Sequence, residues 1–220
     1  MSTPFKTFTL SFFYIGVAVS NATMLSLFYR WEQLDTIYRL QHIILIGITF
    51  HQIEEFRFPG GFPWAANTIM HSQKPDRFPL NKLLSWFINI TALALGLVFV
   101  FWILSPVAAA AFALFALAEL AWHTVFGIIM LKKYRNQGKE TIYFPGNATT
   151  WFILTPAGLA TLYELVSRSI LDPIGWVITI GSLLLLGGVF YVYMKLLANP
   201  DSPYNFDETH LEGYFRKFLS

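Results

Sequence analysis

The sequence predicts an all-α, polytopic transmembrane bundle of about six spans with both termini on the cytoplasmic side. Three observations predict it. The 220 residues are 55% hydrophobic and only 13% charged, whereas soluble domains hold about a quarter charged residues. Six segments approach the roughly 20 apolar residues that cross a hydrocarbon layer. The Lys and Arg residues fall on alternate connections between those segments, as the positive-inside rule requires.

The candidate spans run near 8–29, 37–58, 83–105, 106–131, 150–167 and 173–197. The first is diluted by Ser11, Ser20, Asn21 and Ser26, and lacks a small-residue cleavage site. The second is apolar to Phe50 and then meets charge. Pro106 separates the third from the fourth, at the first-turn position that favours proline. The fifth is short and contains Pro156 and Gly158; the sixth is uninterrupted. Residues 1–197 thus form one transmembrane domain. Residues 198–220 form a cytoplasmic tail too polar to span, whose Tyr204, Phe206, Tyr214, Phe215 and Phe218 allow it to lie at the interface or remain solvated.

With the N-terminus inside, 12 of the 15 Lys and Arg residues are cytoplasmic; Arg30, Arg39 and Arg168 are outside. No basic stripe marks a nucleic-acid partner. The absence of cysteine excludes disulfides, thiolate metal sites and a cysteine nucleophile. The seven tryptophans read as belt anchors and packing, not as a cofactor box.

Ionisable groups within spans mark functional sites. The second span carries His51-Gln52-Ile53-Glu54-Glu55, and the fourth carries Glu119 and His123. His51 with Glu55, and Glu119 with His123, are i, i+4 pairs one helical turn apart. Both pairs lie seven or eight residues, or ~10 Å, from the cytoplasmic end of their span. Asn89 falls at the same depth. One polar layer therefore gathers His51, Glu54, Glu55, Asn89, Glu119 and His123. Glu164 sits near the outer surface with Arg168 as its i+4 partner, His42 is an outer packing histidine, and Asn21 reads as hydrogen-bond glue between helices.

The segment HQIEEFRFPGGFPWAAN (His51–Asn67), with His123 and the later YFPGNATTWFILTP (Tyr143–Pro156), resembles the HXXEE family of bacterial membrane proteins over about residues 40–195. The resemblance implies a multi-pass protein of the bacterial plasma membrane and brings no mechanism with it.

The chemistry follows from the residues. Three carboxylates and two imidazoles at one level repel unless something neutralises them. One reading is a site for a divalent metal (Fe, Mn or Zn), mononuclear or dinuclear, on His51, Glu54, Glu55, Glu119 and His123. Its enzyme would be an oxidoreductase or hydrolase acting on a lipidic or isoprenoid substrate, with Glu54, Glu55 and Glu119 as catalytic groups. A second is metal-free acid–base isomerisation or cyclisation by the same groups. A third is a small transporter. The partners are membrane lipid and a hydrophobic small molecule. The loop from Arg57 to Lys82 covers the layer from the cytoplasmic side, with His71 as a further ligand, and Tyr143-Phe-Pro-Gly146 is a helix-entry turn. The orientation has a direct check. A cysteine in place of Ser220 is expected to react with an impermeant maleimide only after the membrane is breached; labelling from outside intact cells would invert the topology.

Overall fold

The computed structural model describes residues 11–206 and 212–219, and every regular element among them is helical. Six long helices form the bundle: α1 (Ser11–Arg30), α2 (Thr36–Phe56), α4 (Lys82–Phe101), α5 (Pro106–Tyr134), the composite α6 (147–167) and α7 (Pro173–Leu197). The short α3 (Phe62–Ile69) lies in the connection between α2 and α4. Three of the helices, α4, α5 and α7, are long and apolar enough to cross a membrane.

Local chemistry sets the boundaries. The side chains of Asp35, Asn81 and Asp172 accept hydrogen bonds from the first-turn amides of Ile37, Leu84 and Gly175, which start α2, α4 and α7. Pro106 and Pro173 occupy first-turn positions, where a missing N–H costs nothing. The fifth segment begins earlier than its apolar run, with an α-helical turn at Asn147–Thr149, then a π-helical stretch at Thr150–Leu154 and an α-helix at Thr155–Ser167. Pro156 has no N–H to offer the preceding turn and its ring crowds that turn's carbonyl. The widened stretch, in which the Thr155 amide bonds to Thr150 O, lies directly before it.

The main core is Val19, Ile44, Leu45, Ile48, Leu93, Val100, Ala116, Leu154 and Ala157, drawn from α1, α2, α4, α5 and α6. Helix α7 packs on α4 and α5 at the flank and leaves Ile174, Val177, Leu184, Leu185 and Leu196 exposed. At the end of the bundle near α3, a second cluster joins Trp64, Phe126, Met130, Tyr134 and Phe144 to Phe215 and Phe218.

Several sequence expectations are refined. Asn21 is exposed; the contact between α1 and α2 is made instead by Ser26, whose hydroxyl lies 3.3 Å from His42 Nε2 while His42 Nδ1 donates to Tyr38 O at 2.7 Å. His42 is fully buried, a packing residue as expected. Glu164 does pair with Arg168, at 3.4 Å, but the stronger bond is a bidentate one from Arg168 to Asp35, 2.8 Å on each arm. That guanidinium holds the Asp35 carboxyl below the usual range.

The described residues of the tail pack on the bundle instead of standing in solvent. Phe206 is buried against Phe56, and a 3₁₀ turn at Gly213–Phe218 docks on the α2–α4 connection, with the Tyr214 amide donating to Gly60 O at 3.1 Å. Tyr214, Phe215 and Phe218 wrap the ammonium of Lys139 at 4.8, 5.6 and 5.7 Å, and that ammonium also donates to Tyr143 O at 2.7 Å. The ring faces supply negative quadrupole in place of a carboxylate.

Burial, with Lys217 nearby, pushes the Lys139 ammonium down to about 8 from 10.5. Below the lower value the folded and unfolded chains are both protonated and the burial penalty is felt in full. Between the two values only the unfolded chain keeps its proton, so the docked tail gains stability as pH rises. The Tm of the wild type relative to Lys139→Met is therefore expected to increase between about pH 7.5 and pH 9.5. Parallel pH profiles for the two proteins would refute this assignment.

Candidate functional site

The last two turns of α2 and the middle of α5 meet the start of α6, and the ionisable groups converge there. His51 and Glu55 project from α2, Glu119 and His123 from α5. His51 Nε2 lies 3.5 Å from Glu55 Oε1 and 3.6 Å from Glu119 Oε2; His123 Nε2 lies 3.3 Å from each of the same two oxygens. The four atoms form a ring in which nitrogen and oxygen alternate. His51, Glu55 and His123 can each place a ligand atom within 4.8 Å of the others, and all three are buried. Glu119 closes the ring and is the least buried member, with its side chain 22% exposed.

The ring nitrogens differ in what surrounds them. His51 Nδ1 faces Gly146 O at 3.2 Å, Thr149 Oγ1 at 3.1 Å and Thr150 Oγ1 at 3.3 Å. The Thr149 hydroxyl donates to Glu54 Oε2 at 2.6 Å and the Thr150 hydroxyl donates to Gly146 O at 2.6 Å. With those protons directed elsewhere, every neighbour of Nδ1 is an acceptor. Nδ1 therefore carries the hydrogen, and the Nε2 lone pair points into the ring. His123 is fully buried; its Nε2 faces the two carboxylate oxygens, and its Nδ1 has no hydrogen-bond partner among the described residues.

Glu54, read from the sequence as a group that bridges, binds or orients beside the metal, stands outside the ring of four donor atoms. Consecutive helix residues point about 100° apart. Glu54 thus turns toward α6 while Glu55 faces α5. Its Oε1 accepts from the Tyr143 hydroxyl at 2.8 Å and the Ala148 amide at 3.0 Å; its Oε2 accepts from the Thr149 amide at 2.8 Å and the Thr149 hydroxyl. A carboxylate at a helix N-terminus satisfies amides that have no partner within the helix. Glu54 holds α6 against α2, and through Thr149 it orients His51.

Asn89 is buried at the level foreseen, but its amide donates to Ser85 O on its own helix, and its backbone carbonyl accepts from Gln52. His71 is exposed in the turn after α3, away from the ring. Phe62, from the Pro59-Gly60-Gly61-Phe62-Pro63 run, stacks on His123 with centroids 5.5 Å apart, and Phe144 meets the same imidazole edge-on at 5.6 Å. Asn67 braces this cover, donating to Pro75 O and Leu80 O and accepting from the Leu80 amide.

Sequence reasoning read Tyr143-Phe-Pro-Gly146 as a helix-entry turn. It is one, but Gly146, Thr149 and Thr150 also build the site. The signal available was the dense run of small and hydroxylated residues after Pro145, which permits close approach to the imidazoles. Gly146 has φ +104, and a Cβ there would overlap His123 and come within 2.7 Å of His51 Cε1.

A family model described as a protein of unknown function with HXXEE motif matches residues 42–161, more than half of the chain. The chain belongs to the HXXEE family. No curated protein and no solved structure matches it. In this HXXEE protein the motif letters divide: His51 and Glu55 enter the ring, while Glu54 ties the ring to α6.

Gly146→Ala tests the close approach. The substitution forces a side chain into a backbone conformation costing roughly 1–2 kcal/mol and displaces both imidazoles. A clear fall in Tm is expected; an unchanged Tm would mean that Gly146 does not pack on the rings as described.

Proposed function

We propose that this HXXEE protein is a metal-dependent membrane enzyme, with one divalent ion held by His51 Nε2, His123 Nε2, Glu55 Oε1 and Glu119 Oε2. The supporting observation is the spacing of the four donors. A tetrahedron with metal–nitrogen and metal–oxygen bonds of 2.0–2.2 Å has edges of about 3.3–3.6 Å, and the four His–Glu separations, four of its six edges, span the same interval. Two imidazoles and two carboxylates suit zinc, iron(II) or manganese and give no soft ligand for copper(I). The fixed tautomer of His51, whose Nε2 lone pair points into the ring, fits the same reading. One centre on these four donors is proposed, with Glu54 left out because both of its oxygens already serve α6.

A divalent ion at this point would act as a Lewis acid and lower the pKa of bound water, or support oxidation if it is iron or manganese. The chain's own contributions are distinct. Thr149 and Gly146 hold the His51 tautomer, Glu54 fixes α6, and Phe62 and Phe144 shield His123 from water. Glu119, on the more open side, is the group placed to exchange a proton with a substrate. All six long helices cross the bacterial plasma membrane in this proposal, with both termini cytoplasmic and the ring in the cytoplasmic half. The substrate is a lipidic or isoprenoid molecule.

Protein prepared in detergent without chelator is expected to carry about one metal ion per chain, measured by plasma mass spectrometry. Glu55→Ala and Glu119→Ala should each remove most of it, and the double variant should resemble either single one, because the ring acts as a unit. The Glu→Gln versions should keep the helical circular dichroism while losing metal. A metal-free wild type would sink the metal reading.

A further inference from the structure

Between α4, α5 and α7, touching α2 at Ile48, lies a half-open cavity of about 360 Å³. Its walls are almost wholly apolar, with Thr91 and Ser182 the hydroxylated exceptions. It is elongated along the bundle. The lining on α4 runs from Thr91 to Phe99, eight residues or ~12 Å of helix rise. Leu95 and Leu185, both lining residues, are exposed on the apolar flank, so the opening is lateral.

The position of the cavity relative to the ring gives it meaning. Ile48 is three residues before His51 on α2, ~4.5 Å of rise, and Phe115 is four residues before Glu119 on α5, ~6 Å. Both pairs share a helix face. The end of the cavity at Ile48 and Phe115 therefore lies about one helical turn from His51 and from Glu119, the least buried ligand of the ring. The opposite side of the ring is closed by Gly146, Phe62 and Phe144 against the imidazoles. The cavity thus points toward Glu119, while Gly146, Phe62 and Phe144 crowd the imidazoles and leave little space beside them.

We propose that this cavity binds a single hydrocarbon chain lying along the helices, entering sideways from the bilayer, with a small uncharged oxygen-bearing end delivered to Glu119. This deepens the metal-enzyme reading, on which its catalytic meaning rests, and it narrows the substrate class to long-chain amphiphiles such as fatty alcohols or aldehydes. Phospholipids, with a large charged head, are excluded from the ring end.

The experiment uses the full chain in detergent with hexadecanol bearing a mid-chain diazirine. Photolysis is expected to label the lining stretches of α4 and α5, and excess unlabelled hexadecanol should compete. Ala92→Trp and Ala111→Trp fill the cavity without touching the ring. In a variant that keeps wild-type metal content, labelling should fall roughly tenfold, equivalent to about 1.4 kcal/mol of binding. Labelling that is not competed, or that persists in such a variant, would show only annular lipid contact and overturn the proposal. If both variants lose metal and fold, competition and the mapped positions in the wild type decide. A wild type that lacks metal but shows competed labelling would remove the enzyme reading and leave the chain-binding site standing.

Discussion

Two carboxylates facing the same two buried imidazoles form the constraint on which the rest of this bundle turns. Burying unpaired charge costs several kcal/mol per group. The arrangement persists because each carboxylate is placed between two ring nitrogens instead of beside the other carboxylate. That placement demands that α2 and α5 present their polar faces at one level, and that a third segment pass close enough to fix the rings. Gly146 allows the approach, Glu54 anchors the passing segment by its amides, and Thr149 links anchor to imidazole.

Much of this was legible in the sequence because helix geometry is regular. The i, i+4 spacing of His51 with Glu55 and of Glu119 with His123 is enough to put each pair on one face, and counting rise from the helix ends is enough to match their depth. The six long helices fall within a few residues of the apolar segments for the same reason; the start of the first expected span lies outside the described residues. Which of its possible roles Glu54 takes was not legible, because periodicity says which face a side chain leaves from, not what stands opposite. The amides that claim Glu54 belong to a turn more than ninety residues later. Gly146, Thr149 and Thr150 were missed as site residues for a related reason: their contributions are a carbonyl, an amide and hydroxyls, whose chemistry is generic until a partner is seen.

The tail shows the opposite limit. Its aromatic residues were visible as an unusual concentration, but aromatic side chains serve a membrane interface and a protein groove equally well. What selects the groove is Lys139, a buried cation enclosed by three rings. Asn67 similarly reads as one more polar loop residue until its three hydrogen bonds are seen to brace the segment carrying Phe62.

The docking of Gly213–Phe218 on Gly60 has a consequence for biogenesis. The ribosome delivers this strap only after all of the long helices have been made. Throughout the synthesis of α4 to α7, the stretch carrying Phe62 must therefore wait without its final cover, the Tyr214 amide on Gly60 and the Phe215 ring on Phe144. The order of translation thus makes this strap the last piece of the cluster around Phe144 to be laid down.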